Sequence, residues 1–141
     1  MKFDNLSSKV IKAALNVHTV MGAGLFEEVY KACLNHELTK IGLKVLSEVG
    51  FPVIYDGVKL EIGYRVDLLV EDSLIVELKS VEQLRPVHKA QLLTYLRLAR
   101  KETGLLLNFN TAHLRQGIIR VVNSLPPSRP SRPSRPSRPS R

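Results

Sequence analysis

The feature that most constrains the fold is a pair of apolar stretches, residues 59–70 and 74–79, that carry a few charged residues. Side chains alternate between the two faces of a strand, so Glu77 and Lys79 point to the same face. On the first strand the alternation puts Asp67 on one face and five apolar residues on the other: Leu60, Ile62, Tyr64, Val66 and Leu68. The two stretches are adjacent in sequence, which predicts a β-hairpin that carries these charged residues.

The length of the hairpin loop decides which residues face each other. With a three-residue loop, Val70 pairs with Leu74. The same register sets Asp67 directly opposite Glu77, with Cβ atoms about 4.5–5.5 Å apart. A two-residue loop would set Asp67 opposite Val76, across the two faces, and the alternation argues against it. The three-residue loop is therefore the predicted connection.

Two carboxylates at that separation repel each other and destabilise the sheet. Positive charge is therefore expected between Asp67 and Glu77. A divalent cation with oxygen ligands is the natural candidate, with Lys79 beside it.

Periodicity outside the hairpin predicts an α/β fold. Helices are expected at residues 5–21, 25–41 and 87–101, and further strands at residues 43–55, 104–109 and 118–122, the last of which could instead be a short helix. Asp56 and Gly57 are a strong signal for a two-residue turn between the first two strands. The order of elements is two helices, a three-stranded meander, a crossover helix and two more strands, which predicts a mixed sheet flanked by helices.

Composition limits the globular part of the chain to one domain. The sequence has 141 residues and a formal net charge of +8, but it ends in a Ser-Arg-Pro repeat with five arginines and no acid. Removing those five charges leaves +3 for residues 1–127, so most of the basic character belongs to the repeat. We expect a folded domain at residues 1–124 and a disordered tail at residues 125–141, because the repeat has nothing to bury.

Several classes of protein are excluded by what the sequence lacks. Cys33 is the single cysteine, which excludes an intrachain disulfide, a cysteine zinc cluster and a redox pair. The N-terminus has no apolar signal segment, and no apolar run reaches the roughly 18 residues that span a membrane. A soluble cytoplasmic protein without membrane contact is the expectation.

Two helices carry polar residues at positions that could face the charged strands. Glu27 shares a stripe of the second helix with Tyr30 and Leu34, which places it at an inward edge. The alternative is a first-turn acid that stabilises the helix dipole. Gln91 and Tyr95 share a stripe of the third helix, which suits either a flank that faces a wet cleft or a solvated face. Taken alone, each stripe favours the structural interpretation.

Four motifs occur together and in order along the chain: Gly24-Leu-Phe-Glu27-Glu-Val-Tyr30, Gly63-Tyr-Arg-Val-Asp67, Glu77-Leu-Lys79 and Gln91-Leu-Leu-Thr-Tyr95. Together they resemble the PD-(D/E)xK nuclease superfamily, in the branch known as GxxExxY proteins. The resemblance extends over residues 4–123 and leaves out the repeat. It implies a restriction-endonuclease-like core, an α/β fold with a central mixed sheet flanked by helices.

The resemblance also implies a metal-dependent mechanism. Asp67 and Glu77 would hold Mg²⁺ or Mn²⁺. Glu27 would be a third ligand, directly or through a water, or would support a second ion. Lys79 would orient the attacking water and stabilise the charge that builds on phosphorus.

Gln91 and Tyr95 would position the scissile strand or the water on the metal side, whereas His18 is more simply explained as a core histidine.

The leading hypothesis is a nuclease that hydrolyses phosphodiester bonds of DNA, in preference to RNA. The alternative is a catalytically weak or inactive nuclease-fold protein that binds nucleic acid or a protein partner. A charge of +3 is weak for holding duplex DNA unaided, which favours a homodimer or a partner. A structural protein with a merely solvated charged face ranks last, because it treats six matched positions as coincidence.

Overall fold

The computed structural model of the protein describes residues 4–124, so the predicted tail at residues 125–141 lies outside the described residues. The described part contains the predicted elements in the predicted order. They are α1 (Asn5–Met21), α2 (Glu27–Lys40), β1 (Val45–Tyr55), β2 (Val58–Val70), β3 (Leu74–Lys79), α3 (Pro86–Ala99), β4 (Thr103–Asn108), a 3₁₀ turn (Leu114–Gly117) and β5 (Ile118–Val122). Within residues 4–124, no helix combines the length with the hydropathy that a membrane crossing demands.

The five strands form one sheet in the order β1-β2-β3-β4-β5. β3 and β4 are parallel, and the other neighbouring pairs are antiparallel. A parallel pair needs a crossover connection, which α3 supplies between β3 and β4. The predicted α/β fold with a mixed sheet flanked by helices is confirmed. The carboxyl ends of β3 and β4 consequently lie side by side.

The sheet buries a hydrophobic cluster on each of its faces. α1 and α2 cover one face, where they pack against residues such as Val76 of β3. α3 covers the other face, where Leu92 and Ile75 belong to the same cluster. β4 contributes to both clusters, so helices cover this strand on both of its faces. Because Ile75 lies on the α3 side, alternation along β3 puts Glu77 and Lys79 on that side as well.

Local sequence explains where the first elements begin and end. Asp4 caps α1 by accepting a hydrogen bond from Ser7 N at 2.7 Å. Gly22 ends the same helix with a φ of 74°, a conformation that glycine adopts without strain. Asp56 and Gly57 have φ values of 54° and 76°, which a two-residue hairpin turn requires.

One prediction about β2 is wrong: its apolar residues do not all share one face. Tyr64 and Val66 pack in the cluster under α3, whereas Leu68 packs in the cluster under α1 and α2. The strand changes face at Asp67, which forms no regular backbone pair with β1 or β3. Glu48, the residue opposite Asp67 on β1, has a φ of 57°, so the irregularity affects both strands. The alternation of side chains between the two faces of β2 is therefore interrupted at Asp67.

Candidate metal and catalytic centre

The hairpin register confirms the predicted three-residue loop. Val70 pairs with Leu74, and the pairing continues along the strands until Leu68 faces Val76. Continued by one residue, this register sets Asp67 opposite Glu77.

At Asp67 and Glu77, hydrogen bonds to side-chain carboxylates replace the backbone-to-backbone hydrogen bonds between β2 and β3. Asp67 N donates a hydrogen bond to Glu77 Oε2 at 2.9 Å. Leu78 N donates to Asp67 Oδ2 at 2.8 Å. Each carboxylate therefore uses one oxygen to hold the opposite strand, which fixes the position of both.

The carboxylate pair carries more negative charge than its surroundings neutralise. Glu77 is 7% exposed. Burial, and then the charge of Asp67, raise the pKa of Glu77 to about 8, although the hydrogen bond from Asp67 N and the ammonium of Lys79 act in the opposite direction. Without a cation, the pair retains a proton at neutral pH. Two adjacent carboxylates with this excess charge fit Mg²⁺ or Mn²⁺, which prefer oxygen ligands.

Glu27 lies at the end of β3 rather than in the carboxylate pair. It is the first residue of α2, and its Oε2 accepts a hydrogen bond from Ser80 N at 3.1 Å. No three Asp, Glu, His or Cys side chains in residues 4–124 are grouped closely enough to hold a metal ion. In this structure Glu27 therefore ties α2 to the segment that follows Lys79.

Lys79 is the last residue of β3 and is half-buried. Its carbonyl accepts a hydrogen bond from Phe109 N at 2.9 Å, which continues the pairing between β3 and the chain after β4. Its ammonium is close enough to Glu77 to lower the pKa of that carboxyl. The lysine of the predicted Glu-x-Lys pair therefore favours the ionised form of the acid.

The two predicted residues of α3 have different surroundings. Burial, and then the charges of Glu77 and Asp67, raise the pKa of the Tyr95 hydroxyl, so this side chain lies within reach of the acidic pair. Its ring also stacks on Tyr64 with ring centroids 4.6 Å apart. Gln91 lies one turn earlier on α3 and is exposed to solvent. Five of the six predicted residues therefore lie in or close to the carboxylate pair, and Gln91 is an exposed residue of α3 without a described contact to it.

A buried ion-pair group beside Asp67 was not predicted from the sequence. Lys31 of α2 is only 6% exposed and forms an ion pair with Glu48. Its Nζ lies 3.8 Å from Asp67 Oδ1 and 3.2 Å from Glu28 Oε2. The available signal was that Lys31 follows Glu27 by four residues, which puts both on one helix face.

Tyr30, the last residue of the Gly24–Tyr30 motif, has a structural role near the end of β3. It is fully buried, and its ring stacks on Phe109 with centroids 4.4 Å apart. Its hydroxyl donates to Gly22 O at 2.6 Å and accepts from Leu25 N at 3.1 Å. The Ser80 hydroxyl donates to Leu25 O at 2.6 Å. The loop between α1 and α2 is thus fastened to the end of β3.

Comparison with known proteins identifies the family of this chain. The sequence model of the PD-(D/E)XK nuclease superfamily matches residues 4–121. The chain therefore belongs to the PD-(D/E)XK nuclease superfamily.

Among solved structures, the crystal structure of a protein designated SSO0001 has a similar fold, with a TM-score of 0.54 and 22% sequence identity. The similarity covers 71% of this chain and 52% of that protein, so the chain spans about half of its length. No sequence among the curated proteins matches the chain.

Proposed function

We propose that this protein is a metal-dependent nuclease of the GxxExxY branch that hydrolyses phosphodiester bonds of DNA, with RNA as the alternative substrate. The observation that carries the proposal is the carboxylate pair Asp67 and Glu77, which bind each other's strands through main-chain amides. Lys79, two residues further on the same face, supplies the third part of the superfamily's signature. Superfamily membership supports the class of reaction, and the geometry supports the assignment of residues.

Asp67 and Glu77 would hold Mg²⁺ or Mn²⁺, and Glu27 would reach the ion through a water. When bound, the ion would polarise the scissile phosphate and lower the pKa of a bound water. The raised pKa of Glu77 fits this assignment, because a carboxyl that retains a proton without a cation can exchange that proton for one.

Three other side chains would serve the substrate. Lys79 would orient the attacking water and stabilise the negative charge that builds on phosphorus. Tyr95, which lies near both carboxylates, would position the scissile strand. Gln91 would contact the same strand from the exposed turn of α3.

The domain limits follow from the same account. Residues 1–124 would form the nuclease domain, and the arginines of residues 125–141 would add counter-charge for phosphates. Residues 4–124 alone contain 15 Lys and Arg against 13 Asp and Glu, a net charge of +2. This weak charge is the reason to propose a homodimer or a protein partner on duplex DNA.

The test is a cleavage assay on linear duplex, circular duplex, single-stranded DNA and RNA, with Mg²⁺, Mn²⁺ or EDTA. The variants are Asp67→Asn and Lys79→Ala, with Glu61→Gln of β2 as an exposed acidic control. We expect cleavage of at least one substrate that requires the ion, is lost in both site variants and persists in the control. Binding without any cleavage would instead support the alternative of a nucleic-acid-binding module.

A further inference from the structure

A cavity with basic side chains in its lining lies near the strand end that carries Lys79. It has a volume of about 440 Å³ and lies between the end of α1, the glycine turn that follows it, and residues 111–115. His18, His113 and Arg115 line it, and none of the described residues that line it is acidic. This volume is within the range of about 300–1,000 Å³ that is typical of ligand sites.

A hydrogen bond across the cavity holds its walls in place. The His18 Nε2 donates a hydrogen bond to Thr111 O at 2.9 Å, which fixes the imidazole against the loop after β4. This finding replaces the sequence-based interpretation of His18 as a core histidine, because the side chain is half-buried and lines the cavity. Gly22 has a positive φ, and an added Cβ there would meet nothing within 4 Å, so the turn leaves open space.

Both walls are fastened to the strand end that carries Lys79. On one side, the Tyr30 hydroxyl binds Gly22 O, and the Ser80 hydroxyl binds Leu25 O.

On the other side, the Asn108 amide bonds both the N–H and the carbonyl of Val81, each at 3.0 Å. The Thr111 hydroxyl donates to Asn108 O at 3.4 Å. The cavity therefore lies next to the carboxyl ends of β3 and β4, where Lys79 is the last residue of β3.

We infer that this cavity binds a phosphate group of the nucleic-acid strand that reaches the carboxylate centre. The inference rests on the proposed function, and it adds a second contact between the protein and the nucleic-acid strand. Arg115 offers a fork of donors that matches phosphate oxygens, and the imidazole of His113 can donate to the same oxygens. With no acidic side chain among the described lining residues, an anion meets no repulsion there. The phosphate could be internal to the strand or at its end.

The test measures binding by the full-length protein in EDTA, so that cleavage does not interfere. The probes are a single-stranded oligonucleotide with a 5′-phosphate, the same oligonucleotide without it, and circular single-stranded DNA. The double variant His113→Ala/Arg115→Ala removes two exposed side chains of the cavity. The double variant Lys44→Ala/Lys59→Ala removes two exposed cations elsewhere and is the matched control.

We expect the cavity variant to weaken binding about 10- to 100-fold, because hydrogen bonds to charged groups are the strong ones, while the control changes it less than about threefold. A loss confined to the 5′-phosphorylated probe identifies a terminal phosphate, and an equal loss on the circular probe identifies an internal one.

Wild-type affinity of the cavity variant for all three probes would overturn the inference. Arg115→Gln alone should give the same direction of effect and guards against misfolding of the double variant. Binding that depends on the cavity in a protein that never cleaves would leave this inference in place and refute the proposed function.

Discussion

Glu77 permits a sharp test of the site because its carboxyl is nearly buried beside another carboxylate. Burial, and then the charge of Asp67, raise its pKa from the ordinary 4.5 to about 8 when no cation is bound. Between those pH values the folded protein binds a proton that the unfolded chain has released. The stability contributed by this group is fully present below the unfolded pKa and is lost as the pH rises through about 8.

The magnitude follows from the interval between the two pKa values. About 3.5 pKa units, at about 1.4 kcal/mol each, set an upper limit of about 5 kcal/mol on the loss. Because linkage converts the difference between the two pKa values directly into free energy, we expect the metal-free protein to lose about 4 kcal/mol of unfolding free energy between about pH 4.5 and pH 8.5.

The assay is denaturant unfolding in EDTA across this pH range, followed by circular dichroism. Glu77→Gln keeps an oxygen that accepts a hydrogen bond from Asp67 N but cannot ionise, so its stability should change little with pH. Glu61→Gln removes an exposed carboxyl and should follow the wild type. Asp4 does not interfere, because its hydrogen bond from the backbone of Ser7 lowers its pKa below this range.

Parallel pH profiles for the wild type and Glu77→Gln would refute the reasoning. They would mean that the carboxyl is already ionised and well solvated at neutral pH, and the proposed excess of negative charge would not exist. We expect the pH profiles of the wild type and Glu77→Gln to differ in EDTA and to become parallel once Mg²⁺ is added, because the cation neutralises the same charge.

Three other predictions address the surroundings of the pair. Lys79→Ala should retain the fold and the metal affinity but reduce turnover by about 10²–10³, which single-turnover cleavage would reveal, and full activity would contradict the role of this lysine. Lys31→Met should lower the free energy of unfolding by about 1–3 kcal/mol, because it leaves Glu48 and Asp67 without their cation near a buried position. Lys40→Met breaks an exposed ion pair and should lower it by less than about 0.5 kcal/mol. Equal losses for the two variants in urea unfolding would disprove the difference. Truncation after Ser124 should leave the melting temperature unchanged and flatten the log–log salt slope of DNA binding by up to about 4.5, and a large drop in melting temperature would show that the tail packs on the domain.

Features set by short-range patterns could be predicted from the sequence. The loop that connects β2 to β3 was correctly expected to have three residues, since the alternation of both strands required it. The crossover helix after the meander indicated a mixed sheet, and α3, with Pro86 in its first turn, connects the parallel strands β3 and β4. The proximity of Asp67 and Glu77 was a direct consequence of that register.

Features that depend on contacts between distant elements could not be predicted in this way. Lys31 is buried because Glu48 and Asp67 reach it from two strands, and its own helix gives no sign of either partner. The change of face at Asp67 arises because its carboxylate replaces a backbone acceptor, which alternation rules do not anticipate. Nor does spacing show that His18 reaches Thr111, 93 residues away in sequence.

Direct measurement of Mn²⁺ binding tests the central claim, that Asp67 and Glu77 form a cation site. Isothermal titration calorimetry at neutral pH would compare the wild type with Asp67→Asn and Glu77→Gln, and with Glu61→Gln as the control. The account predicts binding by the wild type and the control, with release of the proton that Glu77 retains, and little binding by either site variant. Equal Mn²⁺ affinity in all four proteins would contradict it.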